Sequence, residues 1–184
     1  MAKQPLYTIG HGNRKPEDFL LLLKNFGIQY LIDVRSQPYS KFNPAFNTND
    51  LKHFLEQNGI RYVFMGDTIG GRPADRSCYD KEGKVNYEEV KTRDFFREGI
   101  ERLKTAYEKD MNLVIMCSES KPGECHRTKL IGRVLGSENI VLQHIDEHGK
   151  LKDQATVINE LNKGLPDIDL FGNPINVTSR KPYL

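Results

Sequence analysis

The strongest constraint on the fold is a regular alternation of short β-rich runs with longer stretches whose apolar residues recur at helical spacing. LYTIG (6–10) reads as a strand. Pro16 then opens a helix whose apolar face carries Phe19, Leu20, Leu22 and Leu23 and whose end is set by Gly27. YLIDVR (30–35) is the second strand. Thr48 or Asn49 caps a helix bearing Leu51, Phe54 and Leu55 up to Gly59, and RYVFMG (61–66) is the third strand. Phe95, Phe96, Ile100, Leu103 and Tyr107 give a helix from about Arg93 to Lys109, followed by the strand NLVIM (112–116). The turn-like loop SESKPGE leads into a helix, CHRTKLIGRVL (125–135), ended by Gly136. IVLQHI (140–145) is a fifth strand, and a last helix is expected near 153–162.

Strands that alternate with helices through short connections require right-handed crossovers. The expected fold is therefore α/β: a three-layer arrangement with a mostly parallel sheet of about five strands and helices on both faces. Residues 1–150 are expected to form the α/β unit that carries the motifs. Residues 151–184 are expected to add a C-terminal helix and an extension packed on the same unit, with Leu170 and Phe171 as candidate anchors. The segment 67–90 has no clear period and is rich in Gly, Asp, Lys and Glu. Loops of that length in compact domains are often functional, which makes it a candidate lid.

Charge and cysteine usage narrow the partners. The chain has 27 basic and 25 acidic residues, and its formal charge of +2 is too small to draw in nucleic acid or a membrane by a long-range field. Recognition must be local. No apolar run approaches the ~18 to 20 residues that span a bilayer, and MAKQPLYTIG lacks the apolar core of a secretion signal, so a cytoplasmic location is expected. The 3 cysteines are too few for a secreted disulfide framework and are expected to be free thiols.

In an open parallel sheet, ligands bind beyond the carboxyl ends of the strands. His11, between Gly10 and Gly12, follows the first strand; Asp33 and Arg35 close the second; Gly70, Gly71 and Arg72 follow the third; Cys117 closes the fourth. His11, Arg35, Arg72, Cys117 and Arg127 are expected to line one pocket. The densest block is MCSESKPGECHR (116–127), where Cys125, His126 and Arg127 occupy the first turn of the next helix. A cysteine there can be shifted toward the thiolate, a histidine can move a proton, and an arginine can grip a phosphate or carboxylate in bidentate fashion. The structural alternative has Cys117 buried in the core, Cys125 packed under the helix and Arg127 paired with Glu119 or Glu124. Likewise Asp33 is open to a plain reading as the buried partner of Arg35.

TIGHG (8–12), IDVRSQP (32–38), GGR (70–72) and MCSESKPGECHR (116–127), taken in that order, resemble the domain of unknown function 488 family over roughly residues 6–145. The resemblance implies an α/β fold and a shared polar site, and it brings no established reaction. Gly12 stands where members commonly carry Ser, which removes any hydroxyl at that position.

Three classes of function compete. The first is an enzyme, a hydrolase or transferase, acting on a phosphate-bearing substrate such as a nucleotide or nucleic acid. Its catalytic residues would be His11, Cys117, Cys125 and His126, and its substrate-binding residues Arg35, Asp33, Gly70, Gly71, Arg72, Glu119 and Arg127. No cofactor or metal is assigned: GHGNRK is not the dinucleotide fingerprint G-x-G-x-x-G, and the Cys-x5-Arg loop of rhodanese-like and phosphatase enzymes is missing. The second class is a zinc-binding protein. The spacing opposes it, because there is no C-x2-C or H-x3-H pair and adjacent Cys125 and His126 would not be expected to reach one ion. The third is a non-catalytic nucleic-acid-binding module.

Overall fold

The computed structural model describes residues 3–184. The expected strands are present as β1 (Leu6–Gly10), β2 (Tyr30–Asp33), β3 (Arg61–Phe64), β4 (Leu113–Cys117) and β5 (Leu142–Ile145). A sixth, β6 (Leu151–Asp153), pairs antiparallel with β5 at the edge of the sheet. Its three residues, Leu-Lys-Asp, are too few and too exposed to show a period, as is usual for a polar edge strand. The order is β3-β2-β4-β1-β5-β6, and every pairing except the last is parallel.

The strand period of two separates two cores. On β4, Leu113, Ile115 and Cys117 face one side, and Val114 and Met116 face the other. Phe19 and Leu23 of α1 (Pro16–Asn25), with Leu51 and Leu55 of α2 (Thr48–Gln57), cover the Val114 face. The Ile115 face is covered by Val90 of α3 (Tyr87–Lys91), by Phe96, Ile100 and Leu103 of α4 (Asp94–Glu108), and by Leu130, Ile131 and Leu135. Leu130 and Ile131 lie on a π-helical turn, Arg127–Gly132, that runs into α5 (Arg133–Ser137), which carries Leu135. Helix α6 (Gln154–Leu161) follows β6, capped by the Asp153 carboxylate.

Two expectations for the less regular segments change. Residues 67–90 are built into the structure: Ile69, Cys78, Val85, Tyr87 and Val90 are buried, and Tyr79 bridges to Val85. The segment is a wall of the second core. In the C-terminal extension the proposed anchors Leu170 and Phe171 are 100% and 89% exposed. Backbone bonds hold it instead: Tyr87 N–H donates to Val177, Ser179 N–H to Val85 and Tyr183 N–H to Gly83. Their backbone donors and acceptors are invisible to a hydrophobicity pattern.

The winding reverses at β1 and β4. From β1 the chain crosses by α1 to β2, and from β4 it crosses by α5, on the opposite face, to β5. The carboxyl ends of β1 and β4 are adjacent strands diverging in this way, so a crevice opens between them.

One buried polar chain ties the far side of the sheet to the π-helical turn. Thr8 Oγ1 lies 2.7 Å from His144 Nδ1, His144 Nε2 lies 2.7 Å from Gln154 Oε1, and Gln154 Nε2 donates to the Thr128 carbonyl at 3.0 Å. Because the Gln154 amide donates to Thr128, its oxygen accepts from an Nε2–H tautomer, and Nδ1 accepts the Thr8 hydroxyl. Burial, opposed by the Gln154 bond, lowers the His144 pKa to about 4; Arg127 lowers it slightly and Asp153 opposes. The unfolded chain therefore binds this proton first, and stability falls as pH drops from about 6.5 toward about 4. The urea midpoint of His144→Gln should be lower than that of wild type at pH 7 but less steeply pH-dependent across that window. Equal slopes would show that His144 does not titrate as described.

Candidate functional site

The crevice holds a cavity of about 290 Å³ whose walls include His11, Arg35, Arg72, Cys117, Cys125 and His126. A second, more open hollow of about 590 Å³ continues past His11 along Asn13, Arg14 and Lys15. The strand ladder itself sets the floor. His11 N–H donates to the Cys117 carbonyl and Gly12 N–H to that of Ser118, each at 3.0 Å, extending the β1–β4 pairing into the loop. That loop crosses directly over Gly10, where a Cβ would collide with the Glu119 carbonyl. Gly12 has φ +51°, and a side chain there would press on the Ser120 Cβ, so the loop's course favours glycine at this position.

Arg35 and His11 are positioned by a relay from the core. The Asp33 carboxylate is fully buried; it accepts Arg35 Nε at 2.9 Å, Arg35 NH2 at 2.7 Å and the Tyr62 hydroxyl at 2.7 Å. Arg35 NH2 also reaches the Phe46 carbonyl. Arg35 NH1 remains, facing His11 Nε2 at 3.3 Å. His11 stacks on Phe46 with ring centroids 4.5 Å apart, and its Nδ1–H donates to Gly12. Burial, and then the Arg35 charge, lower the His11 pKa to about 4, so the ring is a neutral acceptor near pH 7. Asp33 thus serves Arg35 and does not itself face the cavity.

Cys117, Cys125 and His126 form a compact group whose ligand atoms all lie within 4.8 Å of one another. The two sulfurs are in direct contact across a Cα separation of 7.7 Å, so the expectation of separate free thiols holds only for Cys78, which is buried. His126 Nδ1 lies 3.5 Å from the Cys125 sulfur, while its Nε2 is buried without a hydrogen-bond partner; the Val34 and Ile69 carbonyls lie near the ring. Burial, and then Arg127, lower its pKa to about 4. Gly71 abuts the ring; Gly70 packs instead on Gly66 and Ser36, away from the cavity.

The arginines differ in their state. Arg72 is exposed, with its guanidinium 4.1 Å over the Tyr183 ring and no carboxylate in ion-pair reach among the described residues. Arg180 pairs with Glu124 at 2.9 Å and Glu119 at 3.5 Å, closing one rim. Arg180 and Tyr183 come from the C-terminal extension, and Tyr39 and Ser36 from the segment after β2; none of the four was legible in advance. The basic and aromatic run SRKPYL was the available signal.

Arg127 does not reach the cavity. It is fully buried, and its NH2 donates to the Glu119 and Ser120 carbonyls at 2.8 and 3.0 Å. Burial, and then the Arg14 charge, lower its pKa to about 9. The expected anion clamp is an internal anchor for the loop between β4 and the π-helical turn, because the side chain turns inward.

The family model of the domain of unknown function DUF488 matches residues 15–134, about two-thirds of the chain. The chain belongs to this family. The match takes in Arg35, Arg72 and the Cys117–Arg127 block, while His11 lies just before it. No curated protein and no solved structure matches the chain.

Within this DUF488 chain, Arg127→Ala should cost about 3 kcal/mol or more of stability. It removes two charge-assisted bonds and leaves two loop carbonyls inside the fold without partners. Urea denaturation checks this, and a loss under 1 kcal/mol would show that the loop holds itself.

Proposed function

We propose that this protein is an enzyme acting on a phosphate-bearing substrate, a nucleotide or a nucleic-acid end, bound in the cavity between β1 and β4. The observation that carries the reading is the state of Arg72. Arg35 is matched by Asp33, and Arg180 by Glu119 and Glu124, whereas the Arg72 guanidinium sits 4.1 Å over the Tyr183 ring with its donors uncommitted to any carboxylate among the described residues. A guanidinium held by stacking keeps its in-plane N–H groups available, which suits bidentate capture of a phosphate. Arg35 NH1 faces the same cavity beside His11.

Two further features support this substrate class. Tyr39, 70% exposed, offers an aromatic face at the mouth on which a base can stack. The adjoining hollow, with Arg14 and Lys15, extends the site for a longer phosphodiester. His11 offers an Nε2 lone pair at the end of the Arg35 relay, suited to accepting a proton once an anion draws Arg35 NH1 toward itself. The Cys117, Cys125 and His126 group supplies the remaining chemistry. Because the sulfurs touch each other, neither is a solitary nucleophile.

Calorimetric titration with a nucleoside monophosphate tests the reading. Arg72→Ala should weaken binding by about 1.5 to 3 kcal/mol and leave the denaturation midpoint nearly unchanged, since the side chain is exposed. Equal affinity in wild type and variant would refute it. Oligonucleotide binding with a steep salt slope and no turnover would assign the cavity to a non-catalytic nucleic-acid module instead.

A further inference from the structure

We propose that Cys117, Cys125 and His126 form a zinc site whose fourth coordination position opens into the cavity. The proposal is independent of the substrate reading. It rests on three ligand atoms converging within 4.8 Å, on their distances, and on the direction in which His126 is turned.

Two ligands on a tetrahedral zinc, with Zn–S about 2.3 Å and Zn–N about 2.0 to 2.1 Å, lie roughly 3.5 to 3.8 Å apart. The Cys125 sulfur and His126 Nδ1 are 3.5 Å apart. The Cα atoms of Cys117 and Cys125 stand 7.7 Å apart, beyond the 4.4 to 6.8 Å that a disulfide normally spans, so the backbone spacing lets the two touching sulfurs part far enough to take an ion between them. The imidazole is turned as a metal ligand requires. Its Nδ1 faces the Cys125 sulfur, and the Val34 and Ile69 carbonyls lie near the ring, the kind of outer group that orients a zinc-bound histidine.

Charge favours the same occupant. Two thiolates, a neutral imidazole and one Zn²⁺ sum to zero, so a group nearly closed off from solvent is neutral when loaded. Binding releases the two thiol protons to solvent. Soft sulfur with imidazole selects zinc over magnesium or calcium. All three ligands also line the cavity wall, and three protein ligands with one open position is the pattern of a zinc that meets water or substrate.

The test uses the full chain purified without chelator and kept reduced. Elemental analysis should find about one zinc per chain, and replacement by cobalt(II) chloride should give a thiolate-to-cobalt charge-transfer band with tetrahedral visible bands. Cys117→Ser and Cys125→Ser should each weaken zinc binding by more than the roughly 10- to 100-fold that loss of an outer partner causes. Cys78→Ala should keep zinc, because that thiol lies outside the group. Should the serine variants fail to fold, the cobalt spectrum of wild type decides alone. Reduced wild type that neither retains nor takes up zinc overturns the proposal, as does cobalt bound without a thiolate band, or zinc retained undiminished in folded serine variants. A Cys117–Cys125 disulfide whose reduction restores no zinc uptake overturns it as well. None of these outcomes bears on the Arg72→Ala titration, so either reading can fail alone.

Discussion

The site depends on one buried cation. Arg127 lies fully inside the fold, and its NH2 donates to the carbonyls of Glu119 and Ser120, in the loop that leaves β4, while its Nε and NH1 are buried without partners. That loop must cross the end of β1 closely enough to exclude any side chain at Gly10. A close crossing deprives its carbonyls of water, and an unpaired buried carbonyl is costly. The guanidinium, projecting from the start of the π-helical turn, supplies the missing donors from behind. Fixing this loop fixes both of its ends: Cys117 where the strand stops, and Cys125 where the helical turn begins. Arg14 braces the same region from the other side, donating to the Gly10 and Asp146 carbonyls.

The opposite wall is held by a different logic, a buried ion pair extended outward. A carboxylate as enclosed as Asp33 is tolerable only when its oxygens are matched, and Arg35 with Tyr62 matches them. The remaining Arg35 nitrogen is then left pointing at His11, which Phe46 supports from below by stacking. Each residue on this wall is oriented by one further inside, so its geometry rests on the core and little on the surface. The rim is the reverse. Arg180, Glu119 and Glu124 are each at least a third exposed, and pairs of that kind contribute little stability and can part readily. The cavity therefore has rigid inner walls and one loosely tied edge.

The sheet was legible because its strands obey a period and its helices show an apolar face, and the gathering of His11, Arg35, Arg72 and Cys117 followed from parallel topology. What was not legible turned on direction and distance. That Arg127 follows the β4 loop is plain in the sequence, but which way its side chain turns depends on carbonyls that only the folded loop presents. Arg180 and Tyr183 come to the cavity from far along the chain through backbone bonds to residues 83–87. The adjacency of Cys125 and His126 argued against a shared ion on the assumption that both sit in a helix, where neighbours diverge by about 100°. In fact Cys125 is extended, at φ −119° and ψ 152°, and His126 is the first residue with helical angles, at φ −60° and ψ −22°. The change of conformation between the two brings their ligand atoms to the same side.

A zinc at that junction would divide the work of the cavity. With two thiolates its site is formally neutral, so it adds little long-range attraction for a phosphate dianion. Affinity for a phosphate would then come from the guanidinium groups, and of Arg35, Arg72 and Arg180 at the cavity Arg72 is the one not matched to a carboxylate among the described residues. The metal's contribution would be local, acting at its open position on a bound water or substrate oxygen within the small cavity that His11 also lines. Anion capture at the rim and chemistry at the floor are then carried by separate residues. Arg72 comes from the loop after β3, and the three ligands come from the end of β4 and the turn after it, the two sets meeting where Gly71 abuts the His126 ring.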